Sequence, residues 1–390
     1  MIRAVIVICS SLLLILFASG CTDFVEPNQL AFVMGTAIDH VENGNIEISH
    51  QIAIPSQMNG SSKGGGSADS DSFLVMSAKG RDVLEANQKI QRQMSRRLLT
   101  SHRIVVAISE EFFSKNDVGN LFDKLGRDPA NNQRDITIMV RGTNAKEFLM
   151  TKHPLEHLSS IAAGKELHIN GLKNYSTRQF IIDSVAQEHR TIVPVLQINN
   201  TQANKNRKDQ LAALSGYAVL NKKLKIGGIL DDTEGSRSAW MSGKDGMREL
   251  TIPWKDGNGN LSFRLTHHKR EITSTSGNTP KDVLVKVRAQ AYLLENTTQL
   301  DMSELDNMLE VQNQLNEQVR EDLQLTLNKV QNWGTDVFGI GAYLHHKYPT
   351  WWRLNKEDWD ENFKQIKVTI QVNIQLKSIG ATGGQVKRGL

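Results

Sequence analysis

The chain has almost no cysteine. Two occur among 390 residues, Cys9 and Cys21, both near the N-terminus, so a disulfide framework is excluded and the body must be held by its own core. Six Trp, twelve Phe and abundant Ile, Leu and Val supply enough apolar surface for two or three such cores. After Thr22 no apolar run reaches the roughly 20 residues that cross a bilayer, so membrane attachment is expected through the N-terminus alone. An excess of one charge is lacking too: 46 Lys and Arg stand against 42 Asp and Glu, a formal net charge of +4. Acids are interspersed throughout and no long basic block or aromatic RNA-binding signature occurs, so nucleic acid is not an expected partner. The basic stretches at 92–97 and 205–208 read as solvated faces.

Motifs that carry chemistry are equally scarce. Ser215-Gly216 and Ser242-Gly243 are not Gly-x-Ser-x-Gly elbows, which leaves a serine hydrolase without a nucleophile. His153-Pro154-Leu155-Glu156-His157 sets two histidines at a zinc-chelating spacing, but the order is not His-Glu-x-x-His, Pro154 disturbs the turn and no third ligand is identifiable. His267-His268 and His345-His346 are adjacent pairs whose rings project in different directions. Gly64-Gly65-Gly66 is not closed by Gly-Lys-Ser or Gly-Lys-Thr, so 57–72 reads as a flexible polar loop rather than a phosphate cradle. Asp231, Asp232 and Glu234 could pair for glycoside cleavage, yet their place after a strand and before a helix suits capping better. No catalytic residue, metal or cofactor is implied.

What the chain does have begins at Leu16-Phe17-Ala18-Ser19-Gly20-Cys21. Arg3 supplies a positive start, 4–17 an apolar stretch, and Ala18, Ser19 and Gly20 a small-residue approach to the cysteine. This spacing predicts a lipoprotein signal peptide over 1–20, cut between Gly20 and Cys21, with diacylglycerol on the Cys21 sulfur and a further acyl chain on the freed amine. At about 0.8 kcal/mol per buried CH₂, two or three chains anchor stably where one does not. Ala18 stands where Leu is usual. The alternative is an uncut anchor, because 4–22 carries no charge and approaches spanning length. Both readings put the rest of the chain outside the cytoplasmic membrane.

Period-two alternation of Ile46, Ile48, Ile52 and Ile54, behind an extended stretch at 30–38 and a Glu42-Asn43-Gly44-Asn45 turn, predicts a hairpin with one buried face. Further strands are expected at 73–76, 104–108, 136–140 and 192–196, and helices at 81–98 (Val83, Ile90 and Met94 inward), 110–125, 144–150 and 177–187. The segment 155–175 reads as helical or irregular, with Gly164 and Gly171 as breaks. The polar run 199–209 looks like a linker. A second hairpin at 215–229 turns at Asn221-Lys222 and could pack back on the first. A short helix at 231–241 and strands through 250–271 follow, with a sub-boundary near 273–280. In the last hundred residues, a strand at 283–292 precedes a capping box at Ser303 and Asp306. Leu305, Met308, Leu309, Leu315, Val319, Leu323, Leu327 and Val330 then make a long helical stripe. A helix at 335–347 and an alternating strand at 366–376 complete an α+β pattern.

Three segments carry a family resemblance. The first is Gly20-Cys21-Thr22-Asp23 with a hairpin over 32–55 containing Gly35 and Asp39. The second is Arg96-Arg97-Leu98-Leu99-x-x-His102, with Leu125-x-Arg127-Asp128-Pro129 downstream. The third is Asp336-x-Phe338-Gly339-x-Gly341, then Tyr348-Pro349-x-Trp351, Trp359 and a strand ending at Gly380. In this order the chain resembles the Ger(x)C family, the lipoprotein C subunits of bacterial spore germinant receptors. The glycine insertion at 64–66 looks longer than the family's loop. The resemblance implies an α+β fold of mixed, largely antiparallel sheets flanked by helices, in two to three domains, with an N-terminal region over 21–200 and a C-terminal region over 210–385. It further implies anchoring on the outer face of the spore inner membrane, two integral membrane partners (the A and B subunits), a role in nutrient-triggered germination and no chemistry of its own.

Tyr348, Trp351 and Trp352, with Pro349 and Trp359, concentrate aromatic surface near a helix end. Core packing is the favoured use and a partner surface the alternative. The competing function class is a lipoprotein that captures a small nutrient itself, which usually shows two similar lobes around a cleft.

Overall fold

The computed structural model describes residues 25–58, 72–127, 131–172, 175–204, 207–244, 247–274, 279–280 and 282–378, with Arg3 apart. The signal segment 1–20, Gly20, Cys21 and most of the polar loop at 57–72 lie outside the described residues. No described helix is long and apolar enough to cross a membrane.

The chain opens with β1 (Leu30–His40) and β2 (Ile46–Ala53), an antiparallel hairpin. Asn43 and Gly44 both take positive φ, 63° and 74°, as a tight hairpin turn requires. After α1 (Pro55–Met58), β3 (Phe73–Gly80) adds antiparallel to β2. Then come α2 (Val83–Arg92), β4 (Arg97–Leu99), β5 (Val105–Ser109), α3 (Glu110–Lys115), α4 (Val118–Arg127) and β6 (Ile136–Arg141). They are followed by α5 (Ala145–Met150), α6 (Ser159–Ile169), α7 (Thr177–Val185), β7 (Ile192–Asn204), β8 (Arg207–Leu220) and β9 (Ile226–Leu230). All nine strands form one sheet in the order β3-β2-β1-β5-β6-β7-β8-β9, with β4 beside β1. Its centre, β1-β5-β6-β7, is parallel and its flanks antiparallel. Parallel neighbours need long crossovers, and these are the helices that cover the two faces.

The second sheet is β10 (Glu249–Pro253), β11 (Asn260–Ser274), β12 (Asp282–Asn296) and β13 (Lys367–Ser378), in that order. It follows α8 (Asp232–Met241). The β12–β13 pair is parallel, and its crossover is α9 (Leu305–Asn332), α10 (Ile340–Lys347), α11 (Pro349–Asn355) and α12 (Trp359–Gln365). Val311, Leu315, Val319, Leu323, Leu327 and Val330 of α9 are buried. One apolar cluster runs from a face of the large sheet (Ala107, Val140, Leu196) through Tyr217, Leu230 and Trp240 into this second layer, and another fills the opposite face around Ile48, Phe113 and Val195.

The α+β class and mixed sheets match the sequence reading, and several local expectations shift. Alternation on β2 does not leave a solvated face: Ser49, His50 and Gln51 are buried beside the isoleucines, because helices cover both sides. The helix expected to Leu98 stops at Arg92, where the Gln91 side chain accepts from Leu98 N–H and turns the chain into β4. The helix expected over 110–125 breaks in two at Asn116, which is extended. Gly164 lies inside α6 instead of ending it, where an added Cβ would sit 2.6 Å from Ile104. Within the polar run 199–209, residues 199–204 and 207–209 are strand, paired in β7 and β8, and the hairpin at 215–229 joins the large sheet. The stretch 273–280 falls at the connection between two paired strands of one sheet. Ser303 hydrogen-bonds to Asp301, while α9 is capped at Glu304 without a side-chain bond, so Ser303 and Asp306 form no capping box. The helix expected from Thr335 begins at Ile340, because 335–339 forms the loop around Asp336.

Candidate functional site: the joint between the two sheets

The Asp336-x-Phe338-Gly339-x-Gly341 motif links α9 to α10. Asp336 is fully buried. Its Oδ1 accepts from the backbone N–H of Phe338 (3.1 Å) and Ile340 (3.2 Å), and its Oδ2 from Gly341 N–H (2.6 Å) and Trp359 Nε1–H (3.3 Å). Burial pushes its pKa up, opposed by nearby His189 and by the backbone donors. Gly339 has φ 73° at the start of α10. A Cβ on Gly341 would lie 2.5 Å from Glu188 O and 2.7 Å from Trp359 Nε1, so only glycine fits.

Glu188 belongs to the turn between α7 and β7, and that turn is what the motif grips. Arg190 N–H donates to Asp336 O at 2.9 Å, and its guanidinium donates through Nε (2.9 Å) and Nη2 (2.5 Å) to Asp360 Oδ1. His345 Nδ1 lies 2.8 Å from Glu188 Oε1. Lys244 reaches Asp183 Oδ2 at 2.6 Å. Burial raises the Asp183 carboxyl, but the hydrogen bond from His189 and the charges of Lys244 and His189 outweigh it and hold the pKa at about 2. On the neighbouring edge, a Cβ on Gly228 of β9 would sit 2.4 Å from the Trp333 ring. The family-like motif is thus the joint between the first and second sheets.

The aromatic cluster lies beside this joint. Trp352 is 2 % exposed, Tyr348 7 % and Trp359 0 %, while Trp351 is half-buried. Trp352 stacks on His345 (5.6 Å) and meets Trp359 edge-on (5.2 Å), and Tyr348 Oη lies 2.8 Å from Ser274 Oγ on β11. The partner-surface reading is therefore corrected for Tyr348 and Trp352, which fix α11 on the second sheet. Trp351 alone retains solvent-facing area.

In the first sheet, Asp39 accepts from Ala145 N–H (2.7 Å) and Lys146 N–H (3.0 Å), capping α5, and burial raises its pKa against those bonds. Gly35 leaves room for Leu149 and Ser160, whose atoms would lie 2.8 and 3.0 Å from an added Cβ. Two matched segments thus owe their glycines and aspartates to helix docking. His102 is exposed with its ring edge-on to Phe32 (5.5 Å), and Leu125 is buried.

Several of the other candidates have structural partners. Asp231 and Glu234 form a capping box on α8, and Glu234 also pairs with Lys329 at 2.6 Å, so these carboxylates hold helices together. His153 Nδ1 accepts from Leu155 N–H. Among the described residues no group of three or more His, Cys, Asp or Glu is placed to hold a metal ion. An open cleft of about 1020 Å³ lies between α6, α8 and the β10–β11 edge. Within it Arg237 faces Asp322 (2.6 Å), Arg264 faces Glu249 (3.0 Å), and Glu166 accepts from Leu214 N–H (2.8 Å). Sequence reasoning missed Glu188, His189, Arg190 and Asp360, because an Arg and an Asp so far apart in the chain carry no local signal of their pairing.

The family model described as the spore germination protein N-terminal domain matches residues 23–198, and that described as spore germination B3/GerAC like, C-terminal, matches 215–380. YfkR of Bacillus subtilis (strain 168), named as a spore germination protein, is 26% identical over 92% of each chain. Spore germination protein KC of the same organism is 22% identical over 99% of this chain and 98% of its own. The crystal structure of the GerBC protein shares the fold, with a TM-score of 0.56 and 16% identity over 90% of this chain and 99% of that one. With both domain models matched in order, the chain belongs to the GerAC-like family of spore germination proteins.

Proposed function

We propose that this protein is the lipid-anchored, non-enzymatic C subunit of a spore germinant receptor. It would be attached through acylated Cys21 to the outer face of the spore inner membrane and act by assembling with the integral membrane A and B subunits. The observation that carries this reading is the presence of both family domains in one chain, joined by the bonds of Arg190 to Asp336 and Asp360 and by the close approach of Gly341 to Glu188. Such a body suits holding neighbours in register. Chemistry is not needed for that task; Asp231 and Glu234 are engaged in a helix cap and an ion pair, and His345 lies against Glu188.

Co-purification from spore membranes tests the reading: the chain should travel with both membrane subunits, and Cys21→Ala should lose labelled palmitate and membrane retention. A full palmitate signal in Cys21→Ala overturns the anchor. A second reading, direct capture of a small nutrient, is favoured by the cleft of about 1020 Å³. Saturable micromolar heats with amino acids, sugars or nucleosides would establish it. The mutual pairing of Arg237 with Asp322 and Arg264 with Glu249 leaves those charges already matched, so no such heats are expected.

A further inference from the structure

No Asp or Glu occurs between Glu85 and Glu110, while Lys89, Arg92, Arg96, Arg97 and Arg103 all fall there. Two of these cations are engaged. Lys89 pairs with Glu85 at 3.0 Å, and buried Arg103 with Asp135 at 2.5 Å. Arg92, Arg96 and Arg97 are exposed, and among the described residues no carboxylate lies within ion-pair distance of them. Exposed Arg81, Arg127, Arg264 and Arg288 each lie against an acid, whereas Arg92, Arg96 and Arg97 fall within six residues without one among the described residues.

Their position is also specific. In β4, Arg97 stands opposite Leu30 and Leu99 opposite Phe32 in parallel register, so the arginines enter the sheet at the end where β1 begins. Gln91 fixes them there, donating to Arg96 O at 2.9 Å and accepting from Leu98 N–H at 2.9 Å. The stretch from Cys21 to Leu30 reaches at most about 30 Å when fully extended, and any folding of it shortens that span. An acylated Cys21 would hold this end of the first sheet close to the bilayer.

We propose, resting on the anchor reading above, that Arg92, Arg96 and Arg97 form a contact for anionic phospholipid headgroups that sets the protein upright on its anchor. Three solvated cations without an adjoining apolar anchor residue suit a repeating array of phosphates better than a protein hot spot, which is built on buried aromatic groups. The attraction fades within about 10 Å at 0.1 M salt, so it acts only with this end of the sheet facing the membrane. Each arginine at such a surface is worth about fivefold in partitioning, so neutralising all three should cost about a hundredfold.

The test is hydrogen exchange of the full lipidated chain on vesicles of phosphatidylcholine with and without phosphatidylglycerol, with mass spectrometry of the Cys21 peptide reporting the acyl chains. Amides over 93–103 should exchange more slowly on the phosphatidylglycerol vesicles. The difference should vanish in the triple variant Arg92→Gln, Arg96→Gln, Arg97→Gln and at about 1 M salt, where screening shortens to about 3 Å. It should persist in the triple Arg→Lys variant, since only charge is required. Equal exchange on both vesicles with Cys21 acylated overturns the proposal and leaves the anchor standing. A difference that survives the Gln variant, or protection that needs co-reconstituted membrane subunits, also overturns it. An unmodified Cys21 with the phosphatidylglycerol effect intact would overturn the anchor and uphold the contact.

Discussion

Single buried polar residues set much of this protein's stability. His50 sits in a chain of donors: Arg103 Nη1 donates to Thr36 Oγ1 (3.5 Å), whose hydroxyl donates to His50 Nδ1 (3.0 Å), and His50 Nε2–H donates to Asn87 Oδ1 (3.0 Å). Burial, with smaller effects from Arg103 and Lys124, lowers its pKa from 6.5 to about 4, against the bond to Asn87. Because the folded value lies below the unfolded one, the neutral ring's contribution is complete above pH 6.5 and is lost as pH falls toward 4. That loss is about 3 kcal/mol. Urea midpoints should fall across this window, and His50→Gln should flatten the slope; an unchanged slope would show that another group titrates. At Asp336, removal of the carboxylate strands four buried donors. Asp336→Ala is expected to cost about 3–5 kcal/mol in urea unfolding, and a loss below about 1 kcal/mol would contradict the hub geometry.

Among elements, α9 does more than cover a sheet with an apolar stripe. Strand β13 is an edge, and side-chain amides from α9 satisfy part of its open backbone. Asn316 both accepts from Ile374 N–H (2.7 Å) and donates to Ile374 O (3.1 Å), Gln312 accepts from Leu376 N–H (2.9 Å), and Gln324 donates to Val368 O (3.2 Å). An uncovered edge is a template for pairing with another chain. Asn316→Leu should therefore lower stability by about 2 kcal/mol and raise concentration-dependent light scattering; a monomeric, unweakened variant would remove this role from Asn316. The apolar stripe was legible as Leu315, Val319, Leu323, Leu327 and Val330, whereas the amides read only as solvated polar positions. Trp351 and Trp352 likewise differ in a way their adjacency conceals. Trp352→Ala should cost about 3–5 kcal/mol through an unfilled core site, and Trp351→Ala far less. Any assembly defect beyond lost stability belongs to Trp351, and comparable unfolding losses for both would refute the distinction.

Across the whole molecule the two sheets share apolar contacts and are joined by ionic ones. Tyr217, Leu230 and Trp240 connect the two layers in one cluster, and Arg190, 4 % exposed in its side chain, binds Asp360 from the other half of the chain. Removing one partner of such a pair leaves a buried charge without compensation. Asp360→Ala, which strands the buried Arg190 guanidinium, should lower stability by about 3 kcal/mol and divide one calorimetric transition into two as the halves uncouple. A single, unshifted transition would mean that the apolar contacts alone couple them.

The residue order alone determined the elements whose signals are local: the Asn43-Gly44 hairpin turn, the stripe of α9, the capping carboxylates Asp231 and Glu234, and the family-like motifs. Periodicity and turn chemistry act over a few residues, so they survive in one dimension. Tertiary structure decided that 199–204 and 207–209 pair as strands of a long hairpin, that Tyr348 and Trp352 are interior, and that Asp336 receives four donors at a joint gripping Glu188 and Arg190. Those outcomes depend on which surfaces the packed layers bring together. Burial and long-range hydrogen bonding are properties of that packing, and neighbouring residues along the chain carry no record of it.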